Sequence, residues 1–138
     1  MTRFWWMLIT FSIMYLVGTV LGFGSYLLLS PTAMWVVVFT FMPVFCALLI
    51  WWYLKAIKSS GQKSAWATME IVAVWIVLSF ASDAVAYIWI VPRLRHGEPN
   101  WLFFVDQSPW IWLSYAVLAL SGYAGHRFHV SREEAQHD

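Results

Sequence analysis

The fold class predicted is an all-α integral membrane protein, a four-transmembrane-helix antiparallel bundle with both termini cytoplasmic. Three observations predict it: four long apolar stretches nearly free of charge, a one-sided distribution of Lys and Arg, and tryptophans gathered at the stretch ends. Of 138 residues, 62% are apolar and 11% charged, with a mean hydropathy of +0.68. Soluble domains carry about 25% charge and about 45–50% apolar residues. A chain this apolar needs lipid as its solvent.

The stretches cover residues 4–29, 33–54, 65–90 and 109–125. Each is close to or above the ~20 residues that cross a ~30 Å hydrocarbon layer as a helix. The runs are continuous and lack the alternation of membrane strands, so helices are expected and a barrel is not. The first run is longer than the ~7–15 apolar residues of a secretion signal and no small-x-small cleavage site follows, so it reads as a retained span. Ser30-Pro31-Thr32 is a connection short enough to force the first two spans antiparallel. "KAIKSSGQK" is a polar turn with Gly61 as its breaker. Residues 91–108 form the outer loop. The domain reading is one membrane domain over 1–129 and a short polar tail over 130–138.

Direction follows from the cations. Arg3, Lys55, Lys58, Lys63, Arg127 and Arg132 fall on the side of the termini, and only Arg93 and Arg95 on the other. The positive-inside bias places the first set in the cytoplasm, and the membrane expected is the plasma (cell inner) membrane. Tryptophans give the same picture: Trp5, Trp6, Trp51, Trp52 and Trp66 mark the inner surface, Trp35, Trp89, Trp101, Trp110 and Trp112 the outer one. Trp75 alone lies mid-span.

Several classes of function find no support. A net charge of +1 gives no field to attract nucleic acid. Cys46 is the single cysteine, so no internal disulfide is possible, and in an apolar run it reads as a small core hydrophobe. There is no nucleophile motif, phosphate loop or metal-ligand spacing, so neither an enzyme nor a cofactor or metal is expected. His126 and His129 read as interfacial histidines near a helix C-terminus, where their charge suits the dipole.

The exception to the apolar pattern is Asp83, within "SFASDAVAY". An aspartate at a helix centre in lipid costs about 2.5–3.5 kcal/mol, and such residues face a bundle interior or a wet cavity. Counting from residue 90 places Asp83 seven residues deep, or ~10 Å. Equal counting brings Gly22 and Ser25, Thr40, and Ser114 and Tyr115 to that level. Ser79 and Tyr87 stand four residues either side on its own helix. Pro43 leaves the Phe39 carbonyl to be satisfied locally. The candidate proton, ion or substrate site is therefore Asp83 with Ser79, Tyr87, Thr40, Ser114 and Tyr115. The alternative is a hydrogen-bonded, inert Asp83 that serves as helix glue.

Other residues suggest lesser roles. Gly18, Gly22 and Ser25 on the first span, and Ser114, Ser121 and Gly125 on the fourth, let backbones approach within one chain or between copies. Glu70 reads as the interfacial partner of a snorkelling Lys63. It stands thirteen residues before Asp83, about 220° around the axis, so a two-carboxylate relay is not expected. Arg93, Arg95 and His96 could hold an anion or lipid headgroup above Asp83, or pair in water with Glu98 and Asp106. The following "WLFFV" would dip into the interface.

Two functions compete. The first is a proton- or cation-linked permease for a small solute, with Asp83 as the titrating site. The second is a non-catalytic accessory or assembly subunit of a larger membrane complex. The partners expected are the lipid bilayer and either further copies of the chain or a larger assembly. Water reaching Asp83 would favour the first, and a dry, fully bonded carboxylate the second.

Overall fold

The computed structural model describes residues 2–59, 61–94 and 97–136, and among these all regular structure is helical. The helices are α1 (Arg3–Leu28), α2 (Pro31–Ala56), α3 (Gly61–Leu94), α4 (Phe103–Asp106) and α5 (Trp110–Glu134). Three of them, α1, α2 and α3, are long and apolar enough to cross a membrane, at 26, 26 and 34 residues. α5 has 25 residues, with Arg127, Arg132, Glu133 and Glu134 crowding its last turns.

The helix ends follow from local chemistry. Leu29 and Ser30 both return their N–H groups to the Ser25 carbonyl, which closes α1. Ser30 then caps α2, its Oγ accepting from the Ala33 N–H at 3.1 Å, with Pro31 in the first turn where its missing N–H costs nothing. At the far end of α2, Ser59 N–H reaches the Leu54 carbonyl and Lys58 N–H the Lys55 carbonyl. This pair of bonds is a Schellman turn, which requires a left-handed residue at Lys58, found at φ 50.

α3 runs four residues past the expected end at 90, and its ladder changes on the way. Residues Ala84–Ile90 form a π-helical stretch directly after Asp83, and Val91–Leu94 resumes the α-helix. Pro92 has no N–H to give the Ile88 carbonyl one turn back. The Asn100 N–H supplies that bond at 3.0 Å, which ties the outer loop to α3.

α2 packs along both α1 and α5, while α3 closes the ring by lying against α5 and, less extensively, against α1 and α2. The apolar core sits toward the α2–α3 turn. Ile50, Tyr53 and Leu54 of α2 meet Ile71 and Trp75 of α3 there, all fully buried. Trp75, the one mid-span tryptophan, is thus a core residue.

Small residues set the closest approaches. A Cβ on Gly125 would stand 2.6 Å from the Ala47 carbonyl oxygen, and one on Gly122 would collide with Val72. A Cβ on Gly18 would lie 3.0 Å from the Met42 methyl, and one on Gly22 would sit beside Val38 and Met34. Gly18, Gly22 and Gly125 therefore serve contacts within the chain. Ser121 is buried and bonds its own helix at the Val117 carbonyl.

Candidate functional site

Asp83 stands half-buried at the start of the π-helical stretch, and both its carboxylate oxygens are occupied. The Tyr15 hydroxyl of α1 donates to Oδ1 at 3.0 Å, and the Tyr115 hydroxyl of α5 donates to Oδ2 at 2.8 Å. Hydrogen bonds to an ionised acceptor are stronger than neutral ones. Interhelical bonds in lipid contribute about 0.6–2 kcal/mol each, so two offset much of the ~2.5–3.5 kcal/mol penalty of a buried aspartate. One carboxylate ties three helices together.

Of the expected neighbours, Tyr115 is a direct partner and the others are not. Thr40 is exposed on a shallow groove with Phe41, Val44, Phe45 and Leu48, on the outside of the ring. α2 turns its inner face to α1 and α5, so equal depth did not bring Thr40 to Asp83. Ser114 spends its proton on the Ile111 carbonyl at 2.7 Å, within its own turn. Ser79 is buried a turn before Asp83 without bonding to it. Tyr87 stacks on Phe103, ring centroids 4.8 Å apart and 9° from parallel. Gly22 and Ser25 likewise lie elsewhere, on the contact with α2 and at the end of α1.

Tyr15 is the partner that depth counting missed. Because α3 extends to Leu94, Asp83 lies eleven residues from its outer end. The same count from Leu28 of α1 reaches Val17, within a turn of Tyr15. Tyr115, the other partner, lies only five residues from the start of α5, so the helix ends do not share one level and equal counting cannot serve all of them.

An aromatic shell encloses the outer side of this layer. Phe80 stacks on Phe104 at 4.6 Å, and Trp112 packs edge-on against Tyr115 at 6.1 Å. α4 thus lays Phe103 and Phe104 against the residues flanking Asp83. Trp101 packs edge-on against Trp89 at 5.0 Å. Arg93 places its guanidinium 5.4 Å from the Trp89 ring, a cation–π contact. Arg95 and His96 lie outside the described residues.

The other end of the bundle has its own polar contacts. Glu70 bonds Arg3 at 2.6 Å, not Lys63. Seven residues span about 10 Å of helix, too far for a direct contact, whereas Arg3 arrives from the neighbouring α1. Both side chains of this pair are about half exposed, at 54% and 49%, so it contributes about 0–1 kcal/mol. His129 is buried and donates from Nε2 to the Ser59 carbonyl at 2.6 Å. Ser64 donates to the Gly61 carbonyl, so its oxygen accepts from His126 Nδ1 at 3.1 Å. Partial burial, then the neighbouring His129 and Arg127, hold the His126 pKa below its usual value. The histidines therefore stitch α5 to the α2–α3 turn. Among the described residues no group of three His, Cys, Asp or Glu side chains is placed to hold a metal ion.

Comparison of the chain with protein-family models, with curated proteins and with solved structures finds no match.

Proposed function

We propose that this chain is a four-span, non-catalytic membrane protein with both termini cytoplasmic, acting as an accessory or assembly subunit of a larger membrane complex. The observation that carries the reading is the engagement of both Asp83 oxygens by Tyr15 and Tyr115. A carboxylate bonded at each oxygen to a different helix is suited to fixing their arrangement. α5 supplies the fourth crossing, its apolar first part in lipid and its charged last turns in the cytoplasm. Exposed apolar side chains such as Leu16, Val20 and Val77 face lipid or a partner.

A second reading is a proton- or cation-linked permease. It is favoured by the π-helical stretch that begins directly after Asp83, since such stretches recur at functional sites. One variant separates the two. With Asp83→Asn, the accessory reading expects the chain to copurify in mild detergent with its complex at near-normal yield, because an amide still accepts from one tyrosine. The accessory reading is overturned if purified wild-type chain alone collapses a pH gradient across liposomes and the folded Asp83→Asn variant does not.

A further inference from the structure

A cleft of about 680 Å³ opens where the first turn of α1, the end of α2 and the start of α3 meet. Arg3, Lys58 and Lys63 line it against a single carboxylate, Glu70, which Arg3 already occupies. Among the described residues, Lys58 and Lys63 have no carboxylate partner. Lys58 stands at the left-handed position of the Schellman turn, where glycine is the usual occupant. Lys58 thus lines the cleft from a backbone conformation that disfavours any side chain.

From Lys63 the exposed Trp66, Met69 and Ala73 follow one face of α3, with the mutually neutralised Arg3–Glu70 pair beside them on that face. This track runs ten residues, or about 15 Å, into the apolar segment. A cationic mouth leading to an apolar track along a membrane helix has the polarity of a phospholipid lying alongside it. The ammonium groups would meet a phosphate, and Trp66, Met69 and Ala73 an acyl chain. A water-soluble phosphate would leave the track unused.

We infer that this cleft binds the phosphate headgroup of an anionic phospholipid in the leaflet at the α2–α3 turn. The inference goes beyond the proposed accessory role and requires only that α1, α2 and α3 lie in a bilayer.

The test is native mass spectrometry of the full chain, extracted in mild detergent and offered equal amounts of phosphatidylglycerol and phosphatidylcholine. Wild-type chain is expected to retain phosphatidylglycerol preferentially. Lys58→Gly with Lys63→Gln is expected to reduce that preference about tenfold or more, the scale set by two lysines near an anionic surface. Lys58→Gly alone relieves the left-handed backbone, so it folds at least as well as wild type, and a reduced preference there is an effect of charge. Glu70→Gln frees Arg3 and is expected to strengthen retention. Soluble glycerol phosphate at matching concentration is expected to leave the bound lipid in place. Equal retention of the two lipids by wild type, or an unchanged preference in the double variant, overturns the site. Displacement by glycerol phosphate overturns the lipid assignment in favour of a soluble anion. A chain found outside the membrane fraction refutes the site together with the membrane reading.

Discussion

Asp83 accepts one hydrogen bond at each oxygen, so removing either donor leaves a partly unsatisfied charge in a low-dielectric setting. Tyr15→Phe and Tyr115→Phe are each expected to lower the unfolding free energy by about 1–2 kcal/mol, read by SDS titration in bicelles. Combined with Asp83→Asn, each should show a coupling energy of about 0.5 kcal/mol or more, because the pairs are in direct contact. Thr40→Val and Ser114→Ala, which touch nothing at Asp83, should stay within about 0.5 kcal/mol of wild type. At this scale the sequence singled out Asp83 and named one of its two hydrogen-bond partners. Tyr115 lay at the counted depth on a helix whose start was read nearly correctly. Tyr15 did not, since the helices end at different levels and a count from one end does not transfer to another. Likewise Glu70 went to Arg3, because a contact between two helices leaves no trace in the spacing along either one.

Among the elements, α5 is the most closely wedged, with Gly125 against the α2 backbone and Gly122 against Val72 of α3. Alanine at Gly125 would press a methyl group onto the Ala47 carbonyl, which cannot turn aside. Gly125→Ala is therefore expected to destabilise by about 2–3 kcal/mol. Gly122→Ala should cost a similar amount, since Val72 is β-branched on a helix and holds one strongly preferred rotamer. Gly18→Ala should cost least, because the Met42 methyl ends a flexible side chain. Thermal unfolding of the three variants in one detergent checks the ranking. The stripe of Ser114, Ser121 and Gly125 was visible as a single small-residue face. Gly122 was not, because α5 contacts helices on two sides and a one-face pattern describes one of them. The prolongation of α3 had a local cue in Pro92, whose missing N–H leaves the Ile88 carbonyl for Asn100.

For the molecule as a whole, three membrane-capable helices were legible as uninterrupted apolar runs, because lipid demands length and hydropathy and little else. Arg3 beside Glu70 and His129 beside Ser59 bring the start of α1 and the end of α5 to the α2–α3 turn. The proposed topology can be checked from outside the cell with a membrane-impermeant maleimide. Trp101→Cys, in the outer loop, is expected to label in intact cells. Ser131→Cys, near the end of α5, is expected to label only after the membrane is opened. Cys46, 3% exposed, should stay silent in both and serve as the internal blank. Reversed labelling of the two introduced cysteines would reverse the orientation.

The order of synthesis gives the Tyr15–Asp83–Tyr115 triad a temporal dimension. As the ribosome releases the chain, Asp83 emerges with Tyr15 already available, whereas Tyr115 follows 32 residues later. At ~5–20 residues per second that delay is about 2–6 s. Throughout it Asp83 has one of its two donors, and the layer that joins three helices closes only when the last of them has been translated.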